Sequence, residues 1–180
     1  MFSREDMTQE QTQIVRLTPD QWKEYKELRL RALEREPQAF ATQYAKDAAY
    51  PDTKWKERLA AVGNGKSWTL FAQDTDGKLV GMVGGYRDEN DLQNHSAQIW
   101  GVYVDKEVRG RGLAKALMKG IIDELETDSD IQTIILEVNT DQASAAKLYE
   151  RMGFVTVGEP YPHLMGDGEQ HQITKMVKTR

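Results

Sequence analysis

Two glycines set between arginines, Arg109-Gly110-Arg111-Gly112, stand where an apolar run ending Val102-Tyr103-Val104 gives way to a helical pattern opening Leu113-Ala114-Lys115. The start of a helix exposes backbone N–H groups that have no internal partner and carries partial positive charge. Glycine there lets the backbone approach a bulky anion closely. Between residues 105 and 119, five basic side chains (Lys106, Arg109, Arg111, Lys115, Lys119) stand against two acidic ones (Asp105, Glu107), a local net charge of +3 in a chain of net charge −5. That combination describes a cradle for a diphosphate. The helix dipole contributes only about 0.3–2 kcal/mol, so several N–H bonds must supply most of the grip. Neither common phosphate signature applies: no Gly-Lys-Ser/Thr follows at the required spacing, and the third glycine of the dinucleotide fingerprint is missing. On residue types alone, a plain tight turn explains the glycine pair as well as a cradle does. His95, His163 and His171 have no metal-ligand spacing to one another, and cysteine is absent, so no metal site and no thiol nucleophile is expected.

The elements that must position this segment follow from periodicity. Ile14 to Leu17 reads as a short strand, and Thr18-Pro19-Asp20-Gln21 as a helix start. Trp22, Tyr25, Leu28, Ala32 and Leu33 then mark one buried face as far as Pro37. A second helix is expected from Asp52 through Trp55, Leu59 and Val62. Trp68–Gln73 and Leu79–Tyr86 form a hairpin around Asp74-Thr75-Asp76-Gly77, and Ala97–Val104 is the next strand. A long amphipathic helix begins near Gly112, with Leu117, Met118, Ile121, Ile122 and Leu125 on its apolar face. Ile131–Val138 is a β-branched central strand. Thr140 or Asp141 is positioned to cap a helix carrying Ala145, Leu148, Tyr149 and Met152, and strands at 154–157 and 173–177 end the chain. The order β-α-α-β-β-β-α-β-α-β-β predicts a mixed α/β sheet with helices on both faces. Residues 1–12 read as a disordered arm and 13–180 as one domain.

Composition narrows the classes. A chain of 180 residues with 39% hydrophobic and 29% charged residues suits one domain with a full core. Its acidity argues against a general nucleic-acid binder. No apolar run is long enough to span a membrane, and Met1 to Thr12 lacks the apolar stretch of a secretory signal, so a cytoplasmic protein is expected.

The glycine segment resembles the GNAT superfamily of N-acetyltransferases, whose signature Gln/Arg-x-x-Gly-x-Gly/Ala corresponds here to Arg109-Gly110-Arg111-Gly112-Leu113-Ala114. Downstream, Leu136 to Phe154 is similar to the family's second half-site and ends in its Leu-Tyr-x-x-x-Gly-Phe motif at Leu148–Phe154. The resemblance spans roughly residues 97–158. It departs at Gln142, where the family usually has asparagine, although Asn139 stands nearby. What it implies is a mostly antiparallel central sheet flanked by helices and an acetyl-CoA-dependent acetyltransferase without a metal, acting on a primary amine. The pyrophosphate would rest on the amides of Arg109 through Lys115, with Asn139 and Gln142 as further contacts. The strand through Val102 and Val104 would pair with the pantetheine arm. Two-subunit assemblies are common in the family.

The resemblance also implies catalytic roles. Tyr149 would hydrogen-bond or protonate the departing thiolate; a tyrosine on that apolar helix face is also ordinary core. Glu137, a lone acid in an apolar strand twelve residues earlier, matches the base of the ribosomal-protein alanine acetyltransferases; a strand-end glutamate bonded to backbone or solvent is the alternative. Residues 152–174 hold Glu159, Asp167 and Glu169 and neither Lys nor Arg. In the family this hairpin borders the acceptor, which favours a cationic amine; a solvated acidic loop has the same composition. Trp100 is either core or a wall of that acceptor site. A non-catalytic module that senses CoA esters with the same cradle remains the other reading of the whole.

Overall fold

The computed structural model describes residues 12–87 and 95–180. Among the described residues, seven strands form one sheet: β1 (Gln13–Val15), β2 (Ser67–Gln73), β3 (Leu79–Tyr86), β4 (Ser96–Val104), β5 (Thr133–Asn139), β6 (Val155–Leu164) and β7 (Gln170–Thr179), in the order β1-β2-β3-β4-β5-β7-β6. Every neighbouring pair is antiparallel except β4 and β5. The helices are α1 (Trp22–Arg35), α2 (Tyr44–Ala48), α3 (Asp52–Ala60), α4 (Leu113–Glu126) and α5 (Ala143–Arg151).

Strand side chains alternate between two cores, as a pleated sheet requires. Leu70, Ala72, Val83, Ile134, Leu136 and Val138 pack with Leu117, Ile121 and Leu125 of α4 and Tyr149 of α5. Phe71, Met82 and Tyr103 face the other way, onto Tyr25, Leu28 and Leu33 of α1 and Trp55 and Leu59 of α3. Helices therefore cover both faces, as the element order predicts.

The feature that positions the site is a local failure of pairing. β4 and β5 are joined only through Ser96↔Thr133, Ala97↔Ile134 and Gln98↔Ile135. Beyond these pairs the two strands run on to Val104 and Asn139 without a ladder between them. A bulge helps turn β4 away. Met82 pairs with Tyr103 and Gly84 with Trp100, which leaves one extra β4 residue at Gly101-Val102, with Gly101 at φ +65°. Two parallel strands that part at their C-terminal ends expose backbone groups inside the sheet, and a ligand can bond there.

Three expectations need correction. A short helix, α2, occupies part of the 34–52 connection, where no helical periodicity was legible in five residues. α5 is not capped by Thr140 or Asp141: the residue at its N-cap is Gln142, with no side-chain cap bond. The last two strands are ten residues each, longer than the expected 154–157 and 173–177, so most of the segment between them is strand. Pro160 and Pro162 are accommodated because β6 is an edge strand, where a missing N–H costs no ladder bond. The expected arm falls almost wholly on residues 1–11, outside the described residues, as does 88–94 of the polar connection. Among the described residues, no helix is long and apolar enough to cross a membrane.

Candidate active site

At the end of β4 the chain turns through Lys106–Val108 and enters α4 across two left-handed glycines, Gly110 at φ +79° and Gly112 at φ +80°. These values explain the residue type directly, since side chains are strained there. A Cβ on either would meet nothing within 4 Å, so both glycines border open space. Ala116 N–H is the donor to Gly112 C=O, at 3.0 Å, and no side chain caps the helix. The amides of Leu113, Ala114 and Lys115 in the first turn therefore point outward, with the positive end of the α4 dipole behind them.

The arginine of the signature does something the sequence did not reveal. Arg109 Nε donates to Val104 C=O at 2.9 Å, and its guanidinium pairs with Glu36 just beyond α1. Its side chain thus clasps the turn from outside and occupies one carbonyl of the β4 end. Two more ties come from α1. Arg31 grips Asp105 with two bonds of 3.0 and 2.9 Å and reaches Leu79 C=O at 2.6 Å, while Arg35 bonds Glu107 at 3.1 Å. Tyr103 adds a 2.8 Å bond to Asp105, whose carboxylate is buried. Helix α1 thus holds the 105–109 turn in place at Asp105, Glu107 and Arg109.

Across the opening, Tyr149 and Glu137 occupy opposite faces of the sheet. Tyr149 is buried in the core that includes Val104, Leu113 and Val138, with its ring edge-on to Phe154 at 6.2 Å. Glu137 lies between Leu136 and Val138 in the strand alternation, so it projects to the α1 side, where it is exposed. Tyr161 of β6 donates a 2.6 Å hydrogen bond to its carboxylate. Tyr161 was missed in the sequence because this contact crosses β7 and 24 positions. Asn139 is buried, accepting from the Asp141 N–H at 3.0 Å and donating to Gln38 C=O at 3.2 Å, so it fixes the β5–α5 turn. The Gln142 carbonyl accepts from Ala145 and Ala146 at the start of α5. The hairpin tip closes this side: Gly166 N–H donates to Phe40 C=O at 2.7 Å. His171 bonds Asp167 at 2.7 Å, and with Glu169 these groups bring possible ligand atoms within 4.8 Å of one another.

Burial pushes the Tyr149 phenol up to about 12. Tyr161 rises to about 12 through burial, then the Glu137 hydrogen bond and charge; Tyr103 does so through burial, then Asp105. A phenol with a folded pKa above its unfolded value of about 10 holds its proton more tightly when folded. Its contribution to stability is therefore whole below about pH 10 and is lost as pH rises towards 12. Urea melts across that range are expected to show a steep decline that Tyr149→Phe flattens; the same slope in both proteins would contradict this assignment.

The sequence pattern of the Acetyltransferase (GNAT) family matches residues 17–154, which takes in the α1 ties, both left-handed glycines and Tyr149. This chain belongs to the GNAT acetyltransferase family. It is 35% identical over 93 residues to human N-acetyltransferase 8, a match covering 51% of this chain and 40% of the relative. It is 30% identical over 100 residues to the Escherichia coli (strain K12) ribosomal protein bS18-alanine N-acetyltransferase, covering 56% and 64%. The chain thus spans less than two thirds of the length of these relatives. Its fold matches that of yncA from Salmonella typhimurium, solved with its cofactor acetyl-CoA, at a TM-score of 0.77 and 16% identity over 94% of each chain. The GNAT fold predicted from the sequence, a mostly antiparallel sheet flanked by helices, is the fold observed.

Proposed function

We propose that this GNAT chain moves the acetyl group of acetyl-CoA directly onto a primary amine of a small molecule or peptide. The observation that carries the reading is the continuity of the left-handed glycine turn with the strand that parts from β5. Outward amides and an open sheet edge adjoin, one suited to phosphates and the other to an extended amide-bearing arm. That a fold relative was solved with acetyl-CoA supports the donor, and relatives named for a ribosomal-protein alanine and for spermidine support an amine acceptor.

When bound, acetyl-CoA supplies an acyl carbon activated as a thioester. The glycine turn and the amides of Leu113, Ala114 and Lys115 would hold its pyrophosphate, the Arg109 N–H being already donated to Lys106 C=O at 3.4 Å, and the strand through Val102 and Val104 would line its arm. Asn139 contributes by fixing the β5–α5 turn, and Gln142 starts the helix that carries Tyr149. A carbon–nitrogen bond then replaces the carbon–sulfur bond. Tyr149, on the α4–α5 side, hydrogen-bonds to the leaving sulfur. Full proton transfer from a phenol near 12 to a thiolate of pKa about 8.5 would cost about 5 kcal/mol, so hydrogen bonding is its main contribution. Glu137, on the opposite side and held by Tyr161, takes the proton from the amine. Neutralising a lysine-like amine at pH 7 costs about 4–5 kcal/mol, an α-amine only about 1. The acidic residues 152–174 favour an acceptor that arrives as a cation.

The test is calorimetry with acetyl-CoA, followed by a thiol-release assay over polyamines, aminoglycosides, amino acids and N-terminal peptides. Binding with thiol release for at least one amine is expected. Binding without release from any amine would favour a sensor, and no heat of binding would overturn the reading. Gly112→Val puts a β-branched residue at φ +80°, turns the first-turn amides away, and is expected to weaken acetyl-CoA binding by about tenfold or more.

A further inference from the structure

On the Glu137 side of the sheet, where β4 leaves β5, lies a buried cluster of charge that the chemistry above does not use. Asp47 of α2 is fully buried and serves two guanidinium groups. Arg29 Nε donates to its Oδ2 at 3.0 Å, and Arg58 Nη1 lies 3.5 Å from the same oxygen. One carboxylate facing two guanidiniums leaves the cluster a net charge of +1. Arg29 has a side chain only 7% exposed, and its Nη1 has no hydrogen-bond partner among the described residues. A guanidinium N–H left unpaired in a buried place is costly, and a carboxylate matches it best.

The position of that group is informative. The Arg29 guanidinium lies 4.9 Å from the Phe40 ring centroid and 5.6 Å from that of Trp100. Its Nη1 is 3.7 Å from where a Cβ would stand on Gly101, at the β4 bulge. Trp100 can lie flat there because its strand neighbour is Gly84, on which a Cβ would stand 2.1 Å from the indole. The positive group is thus at the place where β4 diverges. Phe40, which stacks on it, is bonded to the acidic hairpin tip through Gly166. Phe40 thus joins the cationic group to the hairpin that carries Asp167 and Glu169.

We propose that Arg29 recognises a carboxylate on the acceptor, so that the amine acetylated is that of a free amino acid. The proposal rests on the acetyl-transfer reading above and narrows it. The carboxylate answers the unpaired Nη1, with Phe40 and Trp100 excluding water around the pair, and the ammonium lies towards Glu137 and the acidic hairpin. Asp47 holds Arg29 through Nε, and Asp47 is in turn held by Arg58.

The experiment uses the full chain, acetyl-CoA and acceptors matched except for the carboxylate: phenylalanine with phenethylamine, leucine with isopentylamine, and spermidine for comparison. The carboxylated member of each pair is expected to show kcat/KM higher by roughly a hundredfold. Arg29→Lys keeps a cation against Asp47 and is expected to reduce that preference by about tenfold or more, through KM, with acetyl-CoA affinity retained. Equal or better turnover of the decarboxylated amines, or of spermidine, would overturn the carboxylate assignment while leaving acetyl transfer intact. An equal loss on both members of each pair in Arg29→Lys would overturn it as well. Thermal shift with N-acetylphenylalanine against N-acetylphenethylamine reads recognition without turnover. Stabilisation by the carboxylated compound alone supports Arg29, and equal stabilisation counts against it even if no amine releases thiol.

Discussion

Tyr149→Phe is expected to lower turnover by about 10²–10⁴-fold, the range general for a positioned proton-bearing group, while acetyl-CoA binding is retained. The substitution is clean because phenylalanine keeps the edge-on packing with Phe154 and the place in the α4–α5 core. The ring is 6% exposed, and burial alone raises its pKa to about 12, so the proton is present at every pH at which the enzyme is assayed. In the proposed reaction, what would be lost is the hydrogen bond that forms as negative charge collects on sulfur, an interaction stronger in the transition state than in the ground state. The measurement is kcat beside calorimetric affinity for acetyl-CoA. Turnover within the wild-type range would reduce Tyr149 to a core residue.

The second large effect is expected at a residue that touches no substrate. Asp105→Asn leaves Arg31, only 14% exposed, facing a neutral amide in place of a two-bond carboxylate. Breaking a buried ion pair from one side costs about 3–5 kcal/mol, which in a chain of this length lowers the melting temperature by roughly 10 °C. The asparagine oxygen can still accept from the Tyr103 hydroxyl, but the weakened Arg31 tie loosens the turn that aims the α4 amides, so acetyl-CoA is expected to bind more weakly. Arg35 and Glu107 are more exposed, and their pair contributes little. A melting temperature and an affinity both unchanged in Asp105→Asn would remove α1 from the account of the cradle.

These two sites differ in how far the sequence exposes them. The cradle is local: Arg109 to Lys115 are consecutive, so strand end, glycine pair and helix start lie side by side in the chain. Tyr149 stands out only through the family motif Leu148–Phe154; its place on the apolar helix face by itself reads as core. The contacts that hold these parts are not local. Arg31 meets Asp105 across 74 positions, and Tyr161 meets Glu137 across 24 positions with β7 between them. Nothing in residue type distinguishes Arg31 from Arg29 or Arg35 on the same helix. Arg29 turns to Asp47, Arg31 to Asp105 and Arg35 to Glu107, because each projects at a different angle from α1.

By itself the amino-acid order indicated most of the strands and helices, though not α2 or the full length of β6 and β7, and the short run proposed to hold an anion, because these depend on backbone preference and on neighbours within a few residues. Tertiary structure alone decided that β4 and β5 separate after Gln98 and that Tyr149 and Glu137 stand on opposite faces of the gap. It also decided that a guanidinium is buried at the bend. Those outcomes depend on distant elements packing against one another, where burial sets the energy of a charge and the register of a sheet sets where it points.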